Sequence, residues 1–217
     1  MNYNRHSELI DKHAFLGASK YSWLNKDSDQ LLTMYSRQYI KSIGTAIHDI
    51  ARKHIKHRFK LTKNAKKEVL LSVIEDYHIP GYVIDRAIDY DFVFDNLLTY
   101  VNDAIGYRMV PEQILYFSEN CFGTADTITS LDDTFKNKTL RIHDLKTGAT
   151  PAHIEQLLIY AALFFLEYNT KPGELDVELR IYQGNEVLCH KAEADDILPI
   201  MDRIVTADQT LKRLKEA

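Results

Sequence analysis

Cysteine is scarce, with only Cys121 and Cys189 in 217 residues. Two cysteines exclude a disulfide framework and a four-cysteine iron–sulfur cluster. They read as two partly buried thiols in a reducing cytosol. Proline and glycine are also sparse, at 5 and 8, which argues against long disordered linkers. No apolar run reaches the length of a membrane span; the longest, around Leu157 to Leu166, is short and helical in its spacing. The opening MNYNRHSELIDKH lacks the charged-then-apolar layout of a signal peptide. Repeats and low-complexity tracts are missing too. With 45% hydrophobic residues, the chain suits one compact cytoplasmic domain with no membrane partner.

Charge is present but unevenly spread. The first 75 residues hold 14 Lys and Arg against 7 Asp and Glu, and the remainder hold 13 against 24. The excess peaks in RKHIKHRFKLTKNAKK, Arg52 to Lys67, with eight Lys or Arg, two His and no acid. A solvated helix end explains such a stretch as readily as an anionic partner does. If it grips an anion, a phosphate backbone suits it best, through Arg52, Lys53, Lys56, Arg58 and Lys60. A basic first half beside an acidic second half is compatible with a metal-dependent enzyme acting on a polyanion.

Periodicity gives the order of elements. From Ser28, apolar residues recur at helical spacing through Ile55, with a break or kink expected at Gly44. A second helical stretch runs from Asn64 to Ile79, and a third from about Pro80 to Tyr107. The pattern then alternates. Met109 to Leu131 reads as two strands around a turn at Ser118 to Asn120, and Lys138 to Gly148 as a third strand. A helix follows, with Pro151 near its first turn. A hairpin turns at Gln183 to Asn185, and a closing helix carries acids early and bases late. The expected fold is α/β: a central mixed sheet flanked by helices, with an N-terminal helical region.

Within the third strand, Asp144 and Lys146 are two residues apart and share a face. Asp126 lies on the preceding strand. If the strands pair, two carboxylates meet, and burying both without a partner is costly. A hard divalent cation, Mg²⁺ or Mn²⁺, resolves that repulsion. Lys146 then has charge developing on a phosphate to stabilise. A buried Asp–Lys ion pair that only fixes the sheet fits the same spacing. Gly123 marks a point where the backbone passes close to something. Gln156 and Tyr160, four apart, share a face of the next helix.

Taken in order, Glu112, GTAD (Gly123 to Asp126), DLK (Asp144 to Lys146) and QLLIY (Gln156 to Tyr160) resemble the PD-(D/E)XK nucleases. The likeness is greatest to the RecB-like branch, which includes lambda exonuclease-type phage enzymes. GTAIH, Gly44 to His48, resembles the branch's upstream histidine segment, and FLGASKYSWL, Phe15 to Leu24, its N-terminal serine segment. The resemblance spans about residues 15–182. It implies one nuclease domain over 1–217, restriction-endonuclease-like in its core. A mainly helical part to about residue 108 carries His48, and the catalytic sheet core follows from about 109.

The resemblance also implies roles. His48, Asp126, Asp144 and the Leu145 carbonyl match the family's metal ligands. Lys146 matches the catalytic lysine, and Glu112 an acidic residue on the first core strand. Gln156 and Tyr160 match helix residues that support the site or touch DNA. The third acidic position holds Asp rather than Glu, the iron–sulfur cysteines of some relatives are missing, and no helicase motif is present. The expected activity is Mg²⁺- or Mn²⁺-dependent hydrolysis of DNA, foremost as an exonuclease in recombination, repair or replication. A structure-specific or nicking endonuclease, and a nuclease-fold DNA-binding subunit without turnover, are the alternatives. By analogy the setting is a bacterial or phage-infected cytoplasm, with a homo-oligomer or a recombination or replication protein as partner.

Overall fold

The structure, a computed structural model, describes residues 5–148, 150–184 and 186–216. Helix α1, Ser28–Arg37, starts on a capping box: Asp27 accepts the Gln30 amide at 2.8 Å and Gln30 accepts that of Asp27 at 3.2 Å. Helix α2, Ile40–His57, runs through Gly44 without interruption. The expected break lies instead at Gln38 and Tyr39. Gly44 is there for space: a Cβ at that position would meet Thr147 Oγ1 at 3.0 Å. Helices α3, Lys66–Asp76, α4, Gly81–Ala87, and α5, Tyr90–Gly106, complete the N-terminal region. The single helix expected from Pro80 is two, because Ile88 is extended and Asp89 caps α5 by accepting the Phe92 amide at 3.2 Å.

Five strands follow: β1, Met109–Ser118; β2, Cys121–Thr129; β3, Thr139–Leu145; β4, Asp176–Gln183; and β5, Glu186–Ala192. Helix α6, Leu131–Asn137, joins β2 to β3; the expectation lacked it. Ser130 starts it by accepting the Asp133 amide at 3.3 Å. Helix α7, Glu155–Glu167, links β3 to β4, and α8, Ala194–Glu216, closes the chain. Pro151 thus precedes α7 instead of opening it. The strands lie in sequence order, with only β3 and β4 parallel. A parallel pair needs a long crossover, and α7 is it.

One face of the sheet packs on α2 and α5, where Ile43, Ile47, Phe94, Leu97 and Val101 meet Leu145 and Tyr182. The other face packs on α7 and α8, where Leu157, Ala161, Phe164 and Ile197 meet Leu115, Ile142 and Leu179. Each fully buried Ile, Leu, Val or Phe among them contributes about 1.5–3 kcal/mol. Helix α7 is apolar nearly all round because sheet and α8 enclose it. Among the described residues no helix is long and apolar enough to cross a membrane. Cys121 is half-buried and Cys189 exposed, so only one of the two thiols has the expected cover.

Candidate active site

Strands β2 and β3 pair only at Thr127 with His143 and at Ile128 with Ile142. Beyond that point the ladder gives way to side chains. The Leu145 amide donates to Asp126 Oδ2 at 3.2 Å, while the Lys146 amide donates to the Tyr182 carbonyl on β4 at 2.9 Å. A planar trans peptide sends its N–H and C=O in opposite directions. The Leu145 carbonyl therefore points to the β2 side, where Asp126 lies.

Asp144 is only 3% exposed. Burial, followed by the Asp126 charge, raises its carboxyl to about 6, against the pull of Lys146. Lys146 Nζ sits 2.8 Å from Asp144 Oδ2 and 3.0 Å from Oδ1, with hydrogen-bond geometry at Oδ1. The ammonium thus stands within 3.0 Å of both oxygens and offsets their charge. Lys146 also donates to Gln156 Oε1 at 3.0 Å, and Gln156 Nε2 donates to the Tyr160 hydroxyl at 3.1 Å. The Tyr160 ring covers Gly123, where a Cβ would stand 2.8 Å from Cε1. The close approach expected at Gly123 is this contact.

From α2, His48 Nδ1 comes within 3.3 Å of Asp126 Oδ2. On β1, Glu112 falls between Pro111, which pairs with Thr127, and Gln113, which pairs with Ala125, and holds a left-handed backbone, φ 51°. A non-glycine residue in that region inside a strand stores strain of about 1–3 kcal/mol, a burden that gathers at functional sites. Its carboxylate stands 3.3 Å from Arg52 Nε. An open cavity of about 650 Å³ reaches this corner, bordered by Lys41, Thr45, His48, Glu112 and Thr147.

The structure thus gathers His48, Glu112, Asp126, Asp144, Leu145, Lys146, Gln156 and Tyr160 around one end of β2 and β3. It departs from expectation in two respects. Among the described residues no three His, Cys, Asp or Glu side chains are arranged to hold a metal. Asp144 is turned to Lys146, and Asp126 to His48 and the Leu145 amide, so the ligands do not converge. The donor chemistry still fits a hard cation: two carboxylates, Asp126 and the buried Asp144, act on each other here, and the Leu145 carbonyl points to the Asp126 side.

The second departure concerns Arg52 and Lys53. Asp49 binds both, Lys53 at 3.1 Å, and also accepts the Tyr77 hydroxyl. That hydroxyl foremost, and the two cations after it, hold the Asp49 carboxyl down at about 2 despite burial. Arg52 and Lys53 are therefore braces more than open anion grips. Spacings of three and four along a helix were the available signal for Asp49. Lys56, Arg58 and Lys60 are exposed and form no ion pair among the described residues.

Sequence reasoning also missed a polar cluster under the site. His143, fully buried, places Nδ1 3.2 Å from the Tyr182 hydroxyl, which donates to Asp103 Oδ2 at 2.8 Å. Arg180 bonds Asp103 at 3.2 Å and the Tyr107 hydroxyl at 3.0 Å. Burial, then Arg180 and Arg141, lowers the His143 imidazole to about 3, so it is neutral. The cluster ties α5 to β3 and β4. Comparison with family models, curated proteins and solved structures gave no match.

Proposed function

We propose that the chain is a metal-dependent DNA nuclease of the PD-(D/E)XK type, working in the cytoplasm. One observation carries the reading. Asp144 is buried beside the like charge of Asp126, with His48 on that second acid, while Lys146 reaches the Asp144 carboxylate from two residues on. A structural Asp–Lys pair needs neither the second acid nor the histidine.

His48, Asp126, Asp144 and the Leu145 carbonyl would hold a divalent cation, whose chemistry is to acidify a water and offset phosphate charge. The chain's own residues supply the rest. Lys146 has three N–H donors; Asp144 and Gln156 take two and leave one for a phosphate oxygen. Gln156 and Tyr160 fix where that ammonium points. Exposed Lys56, in the last turn of α2 and about 12 Å along it from His48 at 1.5 Å per residue, and Arg58 and Lys60 just beyond the helix end, offer phosphate contacts.

The test is digestion of linear duplex, circular and single-stranded DNA with and without Mg²⁺ or Mn²⁺. Cleavage is expected only with the cation, and Lys146→Ala should lose about a hundredfold or more. Asp144→Ala and Lys146→Ala variants that cut like the wild type would refute the site. Cutting of closed circles would point to an endonuclease. Binding without turnover would leave a DNA-binding subunit.

A further inference from the structure

The aromatic residue inside the basic stretch has no part in the site described so far. Phe59 is 67% exposed, although the backbone that carries it is fixed. Its amide donates to the His54 carbonyl at 3.0 Å, and its own carbonyl lies 2.9 Å from His54 Nδ1. Two residues on, Leu61 is buried and exchanges both backbone bonds with the Asn102 side chain, at 3.0 and 2.9 Å. The segment is anchored on both sides of Phe59, and the ring still points to solvent. His57 stacks beside it, with centroids 6.1 Å apart and planes at 21°.

Arg58 adds a second observation. It ends α2 in the left-handed conformation, φ 59°. Glycine is the favoured residue there, because a Cβ is disfavoured. The chain instead keeps a long cation at the turn, next to Phe59 and between Lys56 and Lys60. Exposed aromatic faces among cations are what single-stranded nucleic acid needs: rings for its bases and charges for its phosphates. A paired duplex would offer the phosphates alone.

We propose that Phe59, backed by His57, is a stacking platform for an unpaired base of the substrate strand, with Lys56, Arg58 and Lys60 holding the flanking phosphates. The site would then engage DNA with a single-stranded portion. This inference rests on the nuclease reading above. An acidic lipid surface would meet the same charges and seat Phe59, but the near-parallel His57 ring beside it favours a flat partner, a base.

Anisotropy titrations in EDTA test it, using a labelled single-stranded oligonucleotide of about 16 nucleotides and an abasic one of equal length. Wild type should bind the intact strand more tightly. Phe59→Ala should weaken that strand about tenfold, the weight of one stacked base, and shift the abasic strand by less than about twofold. Phe59→Trp should restore the preference. Phe122→Ala, which removes an exposed aromatic outside the basic stretch, should leave both affinities unchanged. Equal losses on both strands, or no loss, would overturn the platform while metal-dependent cleavage left the nuclease reading standing. No binding to either strand and no cleavage would overturn both. Phe59-dependent binding to phosphatidylserine vesicles, with none to oligonucleotides, would replace the nucleic acid by a membrane.

Discussion

Replacing Asp144 with asparagine should make the protein more stable at neutral pH while removing the proposed nuclease activity. Burial is the cause. A carboxyl moved from 3.8 to about 6 binds its proton more tightly in the folded chain than in the unfolded one. Below pH 3.8 both states are protonated and stability is unaffected. As pH rises toward 6 the unfolded carboxyl ionises first, and stability falls. Above 6 the loss is complete, at about 3 kcal/mol. The Lys146 pair is already counted, because it pulls against the burial.

Asparagine escapes this loss, since it never ionises. Its oxygen keeps one Lys146 contact, but its NH2 then faces the same ammonium, and that unmet N–H costs about 1 kcal/mol. The net gain is about 2 kcal/mol, or about 4–8 °C in Tm for a chain of this length. Urea unfolding followed by circular dichroism, run from about pH 4 to about pH 8, reads the difference directly. The gap should open with rising pH and close near pH 4. Equal stabilities at pH 8, or a gap that persists at pH 4, would refute the argument.

Other residues give simpler tests. Gly123→Ala pushes a methyl against the Tyr160 ring and should cost about 1–3 kcal/mol by thermal melt, with Tyr160→Ala relieving most of it in a double-mutant cycle. A purely additive cycle would show that the two do not touch. His143 should stay neutral on acidification, so its imidazole NMR signal is expected not to move between about pH 8 and pH 4; titration near 6.5 would contradict its burial. Removing Lys56 or Lys60 should lower the slope of log affinity against log salt for single-stranded DNA by about 0.7 each, whereas an unchanged slope would exclude phosphate contacts there.

How far the sequence could be read depended on whether the deciding contact was local. Alternation gave the strands, and Gly184 marked the last hairpin. Gly44 misled, because a glycine kept for the approach of Thr147 looks the same in sequence as one that ends a helix. The break before α2 carries no glycine or proline, and the one before α5 rests on a single aspartate cap. In the site, DLK and the Gln156–Tyr160 spacing picked out side chains that the structure joins in one bonded chain. The capture of Arg52 and Lys53 by Asp49 was within reach of helix spacing, but the charge count along the stretch hid it. The His143 cluster was out of reach. Its members come from α5, β3 and β4, and nothing short of the sheet register joins them.

The crossover through α7 bears on how the site is put together. Asp144 and Tyr160 are 16 positions apart and belong to one continuous piece of chain, whereas His48 and Asp126 are 78 apart. Closing the longer loop costs about 1.4 kcal/mol more. The lysine half of the site therefore closes over the shorter loop, and the histidine half is won only when α2 docks. Local opening at that junction would free His48 while Lys146 stays bonded to Gln156. Amide hydrogen exchange would record the two halves as separate openings, with α2 the first to exchange.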